Sequence, residues 1–411
     1  VTRLRSAPVA PRRRGGSPLR RWLAAALLVL TLADPVAAQG VDARLSDAAA
    51  RVEAGDLAGA LPLLEEAVRA DPGNTVARLE LASVLLQLGQ GARVRYHFAL
   101  ARGGRLSPET RAVVDGLLAG LPLRPGWQGS LGFALAPESN PARGSTGFLI
   151  VNGIPIEIGA AGAGESGKAF RVQASLDRQQ PLSARTALVF GASLGAEFNT
   201  GRLADVVTLR PRARLRLIRG ASRTDIGLRW TEQWADGTGL ASGPGLTLAH
   251  SRPLGRRGTL VFNGTADDLT YGANPGLDGV NATGTLRYIH ALSPATRLSV
   301  GMSVTRRNAA SAASSFTAVR HSAGVFHSFA GGLTLGLTGA RTRTWRDAPM
   351  PLFGIVQRDT RDEVSLTVSH SRLAVRGFAP TLTVGHETQA SSIALNDYDN
   401  NRLSLGLTRR F

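Results

Sequence analysis

The chain has 411 residues, with 48 Lys and Arg against 30 Asp and Glu, a formal charge of +18 and no cysteine. Its length allows two or three domains, and 43% apolar with 19% charged residues excludes both a disordered chain and a helical membrane bundle. Without cysteine there is no disulfide scaffold, Cys-based zinc site, thiol nucleophile or lipid-modified Cys. A basic excess of this size points to nucleic acid until the charges are placed along the chain.

Residues 1–38 carry seven Arg and one acid, a net +6. Behind Arg21 an apolar run of about ten residues, Trp22 to Leu32, is followed by the small residues Val36, Ala37 and Ala38, the pattern of a secretory signal peptide. The run is too short to span a bilayer, which needs about 20 apolar residues. We expect export, with the mature chain beginning at Gln39.

Residues 39–124 hold ten Arg and ten acids and are neutral. Apolar residues recur at helical spacing: Leu57, Leu61, Leu64 and Val68, then Leu81, Leu85 and Leu88. Helix stops fall at Gly55, at Asp71 to Asn74 and at Gly89 to Gly91. Gly55, Ala60, Leu64 and Ala67 recur 34 residues later as Gly89, Val94, Phe98 and Ala101, the period of a tetratricopeptide pair. Ser107 and Pro108 then start a further helix with a good N-cap and Pro at N1. Two repeats are few for independent stability, so the block is expected to dock on its neighbour or to dimerise. It reads as a protein-binding surface or as a structural spacer.

Residues 125–411 hold 31 basic and 19 acidic residues, +12, and the period changes from 3.6 to 2. Leu131, Phe133 and Leu135 alternate with small and polar residues, and the pattern repeats down to Leu403, Leu405 and Leu407. One apolar and one polar face on every strand fit a transmembrane β-barrel of about fourteen strands, lipid outside and water inside. Connections alternate between short ones, near residues 181–183, 219–221, 253–255, 292–294, 330–331 and 372–373, and longer ones, near 138–165, 235–243, 270–279, 346–359 and 389–397. An even strand count puts both ends of the barrel in the periplasm, with the helices below the pore. Phe148 to Val151 and Ile154 to Ile158, joined at Asn152 and Gly153, read as a hairpin outside the membrane wall; counted as strands they would make sixteen. Trp127, Trp230, Trp234 and Trp345 fall near expected strand ends, where an interfacial girdle belongs. The fold class is therefore α+β multidomain: tetratricopeptide-like helices followed by an antiparallel barrel. Nucleic-acid binding falls away, because the basic residues are spread through an exported barrel.

Several chemical motifs fail their context. Gly162, Gly164, Gly167 and Lys168 look like a phosphate loop, but Ala169 replaces the Ser/Thr and a strand follows instead of a helix. Ser193, within Gly191 to Gly195, matches a nucleophile elbow but lies mid-strand. The seven His show no metal spacing, so no catalytic residue, cofactor or metal is expected. Arg210, Arg212, Arg214 and Arg216 alternate with apolar residues and must face the lumen. They form either a basic wall for an acidic passenger or paired charges bracing the barrel, with Glu197, Asp205, Asp225 and Glu232 as candidate partners.

The whole arrangement resembles the surface lipoprotein assembly modulator (Slam) family of Gram-negative outer membranes. The resemblance rests on Arg95 to Phe98, Gly132 to Pro141, Asn274 to Gly279, Pro351 to Gly354 and, most specifically, Ile393 to Phe411. It implies a non-enzymatic outer-membrane protein that helps translocate or display a client lipoprotein or secreted protein. The barrel would be the path or platform, and the periplasmic helices would engage the client or its chaperone. Leu79, Ser83 and Leu86 are the candidate client groove, the two leucines serving equally well as core. Leu403, Leu405, Leu407 and the terminal Phe411 resemble the signal read by barrel-insertion machinery. The competing reading is a passive solute pore with a structural helical block.

Overall fold

A computed structural model of the chain describes residues 39–121, 123–143, 148–151, 154–157, 166–201 and 203–411. The expected export signal, the Asn152 and Gly153 turn and Gly162 to Glu165 of the glycine-rich stretch lie outside them.

Five helices come first: α1 (Gln39–Glu53), α2 (Leu57–Ala70), α3 (Thr75–Gln87), α4 (Gly91–Ala101) and α5 (Pro108–Gly120). Side-chain oxygens start three of them, Asp56 accepting from the Gly59 N–H, Asn74 from Ala77 and Ser107 from Thr110, each satisfying an otherwise orphaned donor. Gly55 and Gly89 sit at matching turns with φ of 77° and 75°. This left-handed backbone fixes the 34-residue repeat to glycine at both places. The equivalent residues Ala60 and Val94, and Leu64 and Phe98, share one core with Ala67, Leu81, Leu85, Val114 and Leu118, and Ala101, the equivalent of Ala67, is buried as well. The helical periodicity thus translates into two stacked helix pairs and a terminal helix.

Fourteen strands follow in a closed antiparallel barrel: β1 (Gly126–Glu138), β4 (Gly167–Pro181), β5 (Thr186–Asn199), β6 (Val206–Arg219), β7 (Ser222–Ala235), β8 (Thr238–Leu254), β9 (Gly258–Tyr271), β10 (Gly279–Ala291), β11 (Thr296–Ala309), β12 (Phe316–Ser328), β13 (Leu333–Pro349), β14 (Val356–His370), β15 (Ala379–Ser391) and β16 (Tyr398–Arg410). The intervening β2 (Phe148–Val151) and β3 (Ile154–Glu157) pair only with each other, so the barrel count is fourteen and not sixteen. Strands of 13 to 17 residues exceed the 9–11 that a tilted span requires, so the wall stands proud of the membrane.

Closure comes from β1 against β16, Ser130 to Leu135 facing Arg410 to Leu405, with Glu138 facing Arg402. The ladder skips Ala136 and Pro137, and similar skips occur at Pro211 between β6 and β7 and at Pro244 between β8 and β9. A proline has no N–H to give, so each interior proline leaves a gap without shifting the register.

The outer face is apolar in successive rows: Leu131, Phe133, Leu228, Leu246, Val300, Leu405 and their neighbours are exposed or half-exposed. Phe133, Phe170 and Phe198 stack along this face on β1, β4 and β5, with centroids 6.4 and 6.5 Å apart. No helix among the described residues is long and apolar enough to cross a membrane; the barrel crosses with strands.

One connection differs from the expectation. The long loop expected over 235–243 is a two-residue turn, Asp236 and Gly237, with φ of 48° and 77°. That is the primed hairpin turn whose twist matches its strands. Gly239, Gly243, Pro244 and Gly245 interrupt the alternation of β8 and hide its first half. Conversely, the connection expected at 372–373 runs from Ser371 to Phe378.

His97 is buried in the helical core, its Nδ1 without a hydrogen-bond partner. Burial, with Arg78 and Arg93 adding, pushes its imidazole down from 6.5 to about 3. The unfolded chain takes up this proton below 6.5 and the folded helices do not until about 3. Helical stability should therefore fall as pH drops through this window, by up to about 1.4 kcal/mol per pH unit. Chemical denaturation followed by far-UV signal at pH 7, 5.5 and 4 measures it, and His97→Gln should flatten the dependence.

Candidate functional site

The strand register turns every other residue inward, and the inner wall carries the charge. Arg210, Arg212, Arg214 and Arg216 all lie on the inner face of β6, opposite the outward Leu209, Ala213, Leu215 and Leu217. Arg212 donates from Nε and Nη2 to both oxygens of Asp177 at 2.9 Å, and Arg214 donates to the same carboxylate at 2.9 Å. Arg216 makes a bidentate pair with Asp225 at 2.9 Å and also donates to Gln179. Arg223 joins Asp225 from the same strand, at 3.1 and 2.5 Å. Arg210 forms no ion pair among the described residues.

The expected partners were partly wrong. Of the four acids named from sequence only Asp225 pairs with the stripe. Glu197 takes Arg171, Asp205 accepts from the Asn199 backbone, and Glu232 accepts from the Trp230 indole. The missed partner, Asp177, is two strands away. One inner row reads Asp177, Gly191, Arg212, Arg229, Gly245, Asp267 from β4 to β9. A glycine stands between each arginine and its aspartate, and Arg229 reaches Asp267 over Gly245 as Arg212 reaches Asp177 over Gly191. A Cβ at Gly191 would collide with the Asp177 side chain and the Leu176 carbonyl, and one at Gly245 with Asp267. The row is two mirror-related charge clamps with no side chain between the poles.

A second network locks the barrel seam at the loop end. Glu138 accepts from Arg171 at 2.8 Å and from the Asn400 amide at 2.9 Å. Asn400 accepts from the Asn140 backbone at 3.0 Å, and Arg143 of the first loop donates to Glu387 at 2.9 Å. Asn400 and Glu387 are essentially inaccessible. Residues that carried the family resemblance, Glu138 to Asn140 and Asp399 to Asn401, thus form a latch tying loop, first strand and last strand where Pro137 interrupts the ladder.

At the opposite, turn end sit the helices. Arg69 of α2 donates to Ser371 at 3.2 Å, and Glu66 pairs with Arg372 at 3.1 Å. The Arg69 stem lies over Gly332, Gly103 lies against the Ser293 backbone, and Ala221 packs onto the helical core. Gln179 donates to the Arg124 carbonyl at 2.7 Å. Arg95 of α4 is near Arg216 and Arg223; burial first, and those like charges second, lower its pKa.

Leu79, Ser83 and Leu86 share a face of α3, and both leucines pack partly against the helical core. Leu403, Leu405 and Leu407 face outward on β16, and Phe411 exchanges backbone hydrogen bonds with Gly129 at 2.8 and 3.0 Å. Lys168 and Ala169 are in β4, with no helix after the glycines, and Ser193 sits mid-β5 opposite Ser175 and Arg210. No metal-binding cluster occurs among the described residues.

A family model described as surface lipoprotein assembly modifier matches residues 163–411, and a tetratricopeptide-repeat model matches residues 51–95. No curated protein matches the chain. Among solved structures the chain is similar to the outer-membrane channel DcaP of Acinetobacter baumannii (9% identity, TM-score 0.41, 75% of this chain and 99% of that one). It is also similar to an outer-membrane channel from Pseudomonas putida F1 (15%, 0.35, 75% and 100%) and to OpdK of Pseudomonas aeruginosa (9%, 0.33, 70% and 99%).

Two substitutions test the inner wall. Asp225→Ala strands Arg216 and Arg223 without a counter-charge at a buried position and should cost about 3–5 kcal/mol. Gly191→Val should cost about 1–3 kcal/mol through overpacking. Both should lower the temperature at which the folded barrel loses its compact electrophoretic mobility; an unchanged temperature would refute the clamps.

Proposed function

The chain belongs to the surface lipoprotein assembly modifier family, an outer-membrane β-barrel with a tetratricopeptide-repeat block, and from that membership we propose that it helps a client lipoprotein or secreted protein reach the cell surface. The observation that carries this reading is the match over residues 163–411, nearly the whole barrel, in a chain that also bears helical repeats. Stacked helix pairs of this class bind extended or folded protein segments. In this reading the helices lie in the periplasm, where they meet the client or a chaperone that carries it. The barrel supplies the path or the insertion platform. The arginines of β6, in excess over their aspartates, favour an acidic passenger segment. Leu403, Leu405, Leu407 and Phe411 address the chain to the barrel-insertion machinery, and the groove residues Leu79, Ser83 and Leu86 contact the client.

The mechanism needs no bond chemistry. The lumen offers hydrogen-bond donors and fixed charge. The passive-pore alternative is disfavoured by the helices seated on the turn end, which a simple solute channel has no use for.

Co-expressing a lipoprotein encoded beside this chain, with and without the chain, and measuring its accessibility to external protease tests the reading. Surface exposure should depend on the chain; equal exposure in both cells, together with steady ion conductance, would favour the pore.

A further inference from the structure

We infer that the helical block is a plug, seated across the turn-end mouth of the barrel and closing its lumen until it is displaced. The helices touch the rim at the β6–β7 turn through Ala221, at the β10–β11 turn through Ser293, at the β12–β13 turn through Gly332 and at the β14–β15 turn through Ser371 and Arg372. From the first to the last of these the wall runs eight strands one way and six the other. A body that holds near-opposite points of a ring lies across its opening. Fourteen strands spaced about 4.8 Å and tilted about 40° make a ring of about 28 Å, while each helix with its side chains is about 10–12 Å thick. A layer of five helices covers such an opening.

The burial of the inner wall agrees. Ala187, Val189 and Ile218 point inward at the turn end and are 0%, 1% and 5% exposed, although an open aqueous lumen would wet them.

The seat is built to release. Its polar contacts, Arg69 to Ser371 and Glu66 to Arg372, are exposed to solvent, and its apolar contacts are small, Ala221 on the helical core and Gly103 on the Ser293 backbone. On the other side Arg95 feels the charges of Arg216 and Arg223, two arginines that share the single carboxylate of Asp225. That repulsion lowers the work of lifting the helices, and an acidic segment entering there would relieve it. This reading extends the proposed function, since a client-binding block that is also the plug couples client arrival to opening.

The chain has no native cysteine, so introduced thiols are unique. Full-length protein carrying Glu66→Cys with Arg372→Cys and Arg95→Cys with Arg223→Cys is joined by a short reducible bis-thiol linker, reconstituted in planar bilayers, and its conductance followed before and after reductant. The linked form should be closed, and reductant should raise its open probability about tenfold. Glu66→Arg, which sets like charge against Arg69 and Arg372, should raise the open probability of the otherwise native chain by a similar factor. A linked form as conductive as the reduced form, or a native chain already as open as Glu66→Arg, would overturn the plug. Conductance needs no client, so failure here and failure of the export reading are told apart: the linked form should also block surface exposure of a co-expressed lipoprotein only if both hold.

Discussion

Inside a bilayer no water is available to satisfy a backbone N–H or C=O, and that constraint governs this structure more than any other. A sheet can meet it only by having no edges, so the pairing of β1 with β16 is the interaction on which the barrel depends. The chain can afford Pro137 in that seam because the loss is one donor and the register continues on both sides of it. Above the gap, Glu138, Asn140, Asn400, Glu387 and Arg143 replace ladder bonds with buried side-chain bonds. At the other end Phe411 closes the ladder onto Gly129.

Lipid on one face forces charge to the other, and the lumen must then hold its own arginines apart. The row from Asp177 to Asp267 does this with two glycines, each providing the space for an arginine to cross a strand. Charge neutralisation in the wall is therefore partial and local: Asp177, Asp225 and Asp267 each fix at least one arginine, while Arg210 keeps its charge free among the described residues.

The helices answer a different shortage. Two repeats bury a small core, with Phe98, Leu64, Leu81 and Leu85 at its centre, and five helices gain support from the barrel rim. The same contacts that steady the block place it where it governs access to the lumen. Stability of the small unit and control of the large one thus rest on the same few side chains, Glu66, Arg69 and Arg372 among them.

Period-two alternation, the short connections between strands and the 34-residue repeat of Gly55 and Gly89 made the fold class readable from sequence, because lipid and helix packing each impose a strict spacing on apolar residues. The sequence by itself also determined that the +18 divides among an expected export signal, a neutral helical block and a barrel, and that Arg210 to Arg216 face inward. It did not show that β8 starts at Thr238, directly after the Asp236 and Gly237 turn, because glycines and Pro244 blur the alternation there. Nor did it show Asp177 as the partner of Arg212 and Arg214, or Asn400 as that of Glu138, 262 residues away. Register decides those pairs, and register is a property of the closed ring rather than of any one strand. Where the helices sit was likewise decided only in three dimensions, since contacts at separate turns around the rim have no local signature in the chain.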